Sequence, residues 1–255
     1  MNELWLHIGH GKTGSSYIQS VLAGSVTALK EAGFIYPTND AVLEAKEGKV
    51  SSGNAGLLLS PHGRFDLDEP SKERRKRYLF SGEALFYRLA RGEAQARLGQ
   101  VIEEYRIERL YLLAFIRDPV EHAWSNYQQF VKKGGFGGPF EVVLGTYAEP
   151  TSVRTMLETG FDLPVTSTTV FNYSRVQHSL VDCLARWLGV PVETLTLPPK
   201  QTINRSMTAF ELALMRALNK KLGKEASLVA DALIEKLPDL SAASIEGSAE
   251  KIDAM

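Results

Sequence analysis

The stretch His7 to Ser16, HIGHGKTGSS, gathers three glycines, a lysine, a threonine and two serines within ten residues. Those residue types share one chemistry, the holding of an anion. Glycines let the backbone curl until several N–H groups face one point. Lys12 adds a full positive charge, and Thr13, Ser15 and Ser16 add hydroxyl donors. The stretch follows an apolar run, Leu4-Trp5-Leu6, and leads into a helical pattern from Ser16 to Leu29. At such a strand-to-helix turn, the unpaired N–H groups and positive dipole end of the helix complete a seat for phosphate or sulfate. Gly11, Lys12, Thr13, Gly14, Ser15 and Ser16 are therefore the candidate anion-binding residues. The nucleotide-kinase loop needs a glycine five residues before the Gly of Gly-Lys-Ser/Thr. Counting back from Gly11 gives Leu6, so this is a variant phosphate loop.

A second anion site is written near residue 117. Leu110 to Phe115, LYLLAF, is a near-continuous apolar run, the pattern of a strand buried on both faces of a parallel sheet. It ends in Ile116-Arg117-Asp118-Pro119, with Asp118 suited to a helix N-cap and Pro119 to the first helical position. Val120, Trp124, Tyr127 and Val131 then follow the spacing of a buried helical stripe. Ser125 lies off that stripe, on the order of 10 Å from the helix start at ~1.5 Å rise per residue. An arginine fork at 117 plus a serine hydroxyl at 125 makes an anion site beside the first.

HIGHGKTGSS followed by FIRDPVEHAWSNY resembles the sulfotransferases that use 3′-phosphoadenosine-5′-phosphosulfate (PAPS). A third segment, Ile203-Asn204-Arg205-Ser206-Met207 with Arg216-Ala217-Leu218-Asn219 beyond it, is similar to the bacterial branch of that family. The resemblance spans roughly residues 3 to 220. It implies that the first loop binds the 5′-phosphosulfate, with Lys12 as the loop lysine. It implies that Arg117 and Ser125 bind the 3′-phosphate, and that Asn204, Arg205 and Ser206 add to the nucleotide pocket. There are two departures from the family pattern: His10 stands where proline is usual, and Ser15 and Ser16 stand where two threonines are common. The resemblance places the catalytic base at the end of the third strand, where Ser81-Gly82-Glu83 falls. A base is needed because the acceptor must lose a proton, and a carboxylate at that strand end faces the same crevice as the loop. Glu83 is the first candidate, against the alternative that it only favours a helix N-terminus. His10, inside the loop and able to titrate near neutral pH, is the second, and His62 is the third. His7 reads as a packed core histidine, His122 as a surface or site residue, and His178 as structural.

The expected reaction is in-line displacement at sulfur without a metal, Lys12 and the loop N–H groups meeting the charge that grows on the leaving phosphate. The product nucleotide is 3′,5′-adenosine bisphosphate, and the partner is a small-molecule or glycan acceptor with a hydroxyl or amine. Two other readings compete: a P-loop small-molecule kinase using ATP and Mg²⁺, and a nucleotide-binding module without catalysis.

Composition bounds the rest. The chain has 255 residues, 44% hydrophobic and 23% charged, enough for one large core. A net charge of −1 argues against a general nucleic-acid binder. The single cysteine, Cys183, excludes an intrachain disulfide and reads as a buried thiol in an apolar helix. No apolar run reaches ~18 residues, so no membrane span is expected. The N-terminus enters a strand directly, which leads to a cytoplasmic expectation.

The elements that must position these residues alternate. Strands are expected at Leu4–Gly9, Phe34–Pro37, Tyr78–Ser81, Leu110–Ile116 and Val165–Phe171. Helices are expected at Ser16–Gly33, within Glu83–Tyr105, from Pro119 to about Val131, and over Val176–Leu188, Thr208–Leu222 and Glu225–Leu237. The predicted fold is α/β, a central, mostly parallel sheet flanked by helices, and the resemblance adds a P-loop NTPase-like sulfotransferase architecture. The expected organisation is a single domain over 1–240, interrupted by a polar insertion at 38–77, and a tail at 241–255 that is frayed or truncated. The insertion, with a helical candidate at Asn54–Leu59 and a basic run at Lys72–Arg77, is expected to be a lid or acceptor segment. The basic run reads first as a solvated loop, second as a site for an acidic acceptor.

Overall fold

The computed structural model describes residues 1–60, 75–199 and 206–236. His62, Asn204, Arg205, the first part of the basic run and the 241–255 tail lie outside them. The chain divides into two compact units, Met1–Asp118 with Glu149–Ile203, and Pro119–Ala148 with Asn204–Met255.

The first unit is built on a five-stranded sheet. Strands β1 (Asn2–Ile8), β2 (Phe34–Ile35), β3 (Arg77–Gly82), β4 (Ile107–Ile116) and β5 (Ser167–Asn172) stand in the order β2-β3-β1-β4-β5. Every pairing is parallel, as the expected fold class requires. Parallel strands need crossovers, and helices supply them. After β1 come α1 (Ser15–Gly24) and α2 (Val26–Glu31), then α3 (Asp40–Lys46) and α4 (Ala55–Leu59) between β2 and β3. Helices α5 (Leu85–Ala90) and α6 (Gln95–Glu104) join β3 to β4. The second unit holds α7 (Pro119–Lys133) and α8 (Phe140–Leu144). The first resumes with α9 (Glu149–Thr159), β5, α10 (Tyr173–Val176) and α11 (Leu180–Leu188), and α12 (Ala209–Leu222) and α13 (Ser227–Lys236) complete the second.

Alternation along β1 explains the layers. Leu4, Leu6 and Ile8 face one core with Tyr78, Phe80, Leu110, Leu112 and residues of α4, α5, α6 and α9. The intervening Trp5 packs with the other core, formed by Leu79, Leu113 and Phe115 against α1 and α11. Both faces are covered, which is why β1, β3 and β4 read as apolar runs rather than as clean alternation. Cys183 is buried in the second core, and burial pushes its thiol pKa up.

Some boundaries differ for visible reasons. The expected helix over 16–33 breaks at Ser25, whose buried hydroxyl donates to the Val21 carbonyl and accepts from Thr196 N–H. A hydroxyl that bonds back to the preceding turn bends or ends a helix. Gly33 closes the segment at φ 83°, as its glycine predicted. The expected helix over 176–188 starts later, as α11 at Leu180, because α10 ends at Val176, and Gly189 ends α11 in the left-handed region.

Residues 40–59 of the insertion are tied to β3 by buried polar contacts. Asn54 accepts from Ser81 N–H at 2.8 Å and donates to the carbonyls of Pro37 and Leu79. Gly53, at φ 78°, bridges Gly82, and a Cβ there would lie 2.2 Å from the Ser81 carbonyl oxygen. The described end of the basic run is also engaged: Arg75 pairs with buried Glu3, and Arg77 donates to the Ala32 carbonyl and stacks over Phe34.

In the second unit, Ala123, Tyr127 and Val131 of α7 pack with Phe140, Val143, Leu212 and Met215. Asn219 ties α12 to the end of α7 by donating to the carbonyls of Val131 and Phe136. Thr208 and Glu211 form a reciprocal capping box at the start of α12. Among the described residues, no helix is long and apolar enough to cross a membrane.

Candidate active site

Three chemistry-bearing residues leave the carboxyl ends of three adjacent strands. Lys12 follows β1, Glu83 follows β3 and Arg117 follows β4. Because β1 lies between β3 and β4, the register sets Ile8 beside Gly82 and His7 beside Leu113. Neighbouring strands are about 4.8 Å apart, so parallel pairing alone brings the two flanking residues to either side of the loop. This is the edge at which open α/β sheets bind ligands.

The loop backbone is turned by two left-handed residues, Lys12 at φ 64° and Gly14 at φ 79°. Gly14 stands at the N-cap of α1, where no side chain caps the helix, so its first-turn N–H groups keep their capacity for an anion. Among the described residues the buried Ser15 hydroxyl has no hydrogen-bond partner, and Ser16 is half-buried beside it. The Thr13 hydroxyl donates to the His10 carbonyl and tightens the turn. Gly9 has a steric reason to be glycine, since a Cβ would lie within 2.8 Å of the Gly82 carbonyl oxygen, Glu83 Cα and Ser15 Oγ.

Electrostatics couple the three strand-end groups. Burial pushes the Lys12 pKa down, Glu83 raises it and Arg117 lowers it further. Burial pushes the Glu83 carboxyl up, partly offset by Lys12. Arg117 donates to the Lys12 carbonyl at 3.3 Å and lies over the Tyr173 ring at 5.4 Å. A carboxylate of raised basicity thus acts on the Lys12 ammonium from one side, and the Arg117 guanidinium acts on it from the other.

The histidines sort by burial. His7 is fully buried, its Nδ1 2.8 Å from Ser81 Oγ, and burial lowers its pKa to about 4. This is the packed core histidine expected. His10 is 2% exposed, with Nε2 3.4 Å from a Glu149 carboxylate oxygen. In the second unit, His122 is buried against the Tyr147 hydroxyl at 2.7 Å, while His178 of the first is exposed. Ser125 is half-buried on α7 and Ser206 is exposed; both belong to the second unit, whereas Arg117 belongs to the first.

No family model matches the chain, and no curated protein does. Three solved chains match it in structure. One is a crystal structure of a sulfotransferase from Alicyclobacillus acidocaldarius, aligned over 91% of this chain and 95% of that one, with 15% identity and a TM-score of 0.40.

The sequence pattern did not single out Glu149 or Tyr87, and it marked Asn54 only as the start of a helical candidate. Tyr87 lies against the loop, where a Cβ on Gly11 would meet its hydroxyl at 3.3 Å. Asn54 had a weak signal as the polar residue before a short apolar helix. Glu149 had none pointing to the loop, because its partner is 139 residues away.

Proposed function

We propose that this chain is a sulfotransferase moving a sulfonyl group from PAPS to a hydroxyl or amine acceptor, without need of a metal. The observation that supports the reading most is the juxtaposition of Lys12, Glu83 and Arg117 at three adjacent strand ends, around an uncapped helix N-terminus. The loop fits a phosphosulfate through Lys12, the α1 N–H groups and the unpartnered Ser15 hydroxyl. Arg117 is the first candidate for the 3′-phosphate. Ser125 enters from its place in the helix pattern after Arg117 and from the resemblance, and Asn204, Arg205 and Ser206 enter from the resemblance and their polar cluster.

When bound, the donor supplies an activated sulfonyl group. Glu83 takes the proton that the acceptor must lose, and its raised pKa improves it as a base. Lys12 and the loop N–H groups offset the charge left on the departing phosphate. His10 is the second base candidate, but its ring is 2% exposed and its Nε2 faces Glu149, an arrangement that favours Glu83 for proton removal.

A thermal-shift titration tests the reading. Stabilisation by 3′,5′-adenosine bisphosphate in the presence of a chelator supports it, by about 2.7 kcal/mol at a hundredfold excess over Kd. Stabilisation only by ATP with Mg²⁺ would move the chain to the kinase reading. Nucleotide binding without sulfonyl transfer to any acceptor class would leave a binding module.

A further inference from the structure

The imidazole of His10 is buried inside a loop whose neighbouring residues serve an anion. Burying a polar ring is costly unless it is paired. Here α5 and α9 both reach it. Phe86 meets it edge-on, centroids 4.6 Å apart at 65°, and Tyr87 lies tilted against it at 5.6 Å. Glu149, the first residue of α9, brings Oε2 to 3.4 Å from Nε2. Tyr87 also hydrogen-bonds the backbone of Gly11. Residues 10 and 11 are therefore fixed by aromatic contacts from one helix and a carboxylate from another.

The next residue shows what the fixing is for. Lys12 is not glycine, yet it holds φ 64°. The left-handed region is costly for an L-residue with a Cβ, and such a conformation persists only where the surroundings over-determine it. The Thr13 hydroxyl closes the far side of the turn by donating back to the His10 carbonyl. A pinned His10 on one side and this hydrogen bond on the other leave Lys12 little freedom to relax. An acidic residue at a helix start has a local reason to exist, but that reason does not direct its carboxylate at a loop histidine.

We propose that Glu149 is a positioning residue for the anion loop: it holds the His10 ring, and through it the left-handed Lys12 turn that gathers the loop N–H groups. The inference rests on the reading of the loop as the donor site. Glu149 then acts on donor affinity and leaves proton removal from the acceptor to Glu83. Its carboxylate works chiefly as a hydrogen-bond acceptor for the ring, so an amide of the same shape replaces it in part.

The test uses the full chain and the variants Glu149→Ala and Glu149→Gln. Calorimetry with 3′,5′-adenosine bisphosphate should show roughly tenfold weaker binding for Glu149→Ala, about 1.4 kcal/mol, and most of the affinity restored in Glu149→Gln. Donor KM should rise in step. In ¹⁵N spectra, the His10 ring and the Lys12 and Gly14 amides should shift in Glu149→Ala more than in Glu149→Gln. Equal affinity in all three Glu149 forms would overturn the inference. So would a loss that Glu149→Gln does not recover, accompanied by amide shifts spread over the whole first unit, for that pattern marks a residue needed only for folding. If the wild type itself ignores the nucleotide, the sulfotransferase reading fails separately. The inference is then judged on the spectra alone, where unmoved Lys12 and Gly14 amides would sink it.

Discussion

Lys12 carries the heaviest expectation of any side chain in the loop. Lys12→Ala removes a charge placed where negative charge develops, a loss of about 3 kcal/mol or ~100-fold in turnover. Turnover within threefold of wild type, measured with labelled donor, would refute the loop assignment. Glu83→Gln keeps the shape of the side chain and removes its basicity. Turnover should fall about 10²–10⁴-fold while calorimetric affinity for the bisphosphate nucleotide is held. Burial raises the pKa of Glu83, so the acidic limb of the pH–rate profile should lie above the ordinary carboxylate range. Activity is lost as pH falls through that raised value, because the protonated acid cannot accept a proton. The limb should vanish in Glu83→Gln; a limb unchanged in the variant assigns it to another group. Lys12 and Glu83 were legible in the sequence because each follows a strand whose apolar run is plain. Their mutual electrostatic coupling was not legible, because they lie 71 positions apart in the chain and meet only through strand pairing.

Helices and strands with strong periodic signals were read close to their true limits, β1, β4, α7 and α12 among them. Weakly patterned ones were not. α9 buries only Met156, so no apolar stripe announces it, yet it delivers Glu149 to the loop. The segment before β3 was read as an insertion, and Asn54 and Gly53 show residues 53–54 serving as part of the strand-end scaffold. Gly53→Ala would meet both a left-handed backbone and a carbonyl at 2.2 Å. It should cost more than about 1 kcal/mol, and Asn54→Ala should cost about 1–3 kcal/mol by leaving the Ser81 N–H without its acceptor. Denaturant melts check both. Each variant should also lower turnover beyond its loss of folded protein, since Ser81-Gly82 sets the place of Glu83. Melting curves indistinguishable from wild type would show that the 53–54 contacts hold nothing.

Folding as a whole should depend on pH through His7. Its pKa falls from an ordinary 6.5 to about 4 on burial, so the unfolded chain binds a proton more readily than the native one. Stability therefore rises with pH across that window. The contribution is fully present above pH 6.5 and is lost as pH falls toward 4, up to about 3 kcal/mol in total. His7→Gln, which cannot charge, should flatten that part of the stability curve; an unchanged slope between pH 6.5 and 4 would assign it elsewhere. The strand order has another effect, one felt while the chain is being made. β1 is the middle strand, yet it is synthesised first, and its partners β3 and β4 end only at residues 82 and 116. At roughly 5–20 residues per second, an apolar strand with both edges open waits on the order of ten seconds for its neighbours. During that interval the nascent chain presents Leu4, Leu6 and Ile8 to whatever binds exposed strands, so its yield in a cell should follow the supply of ribosome-associated chaperone more closely than its final stability.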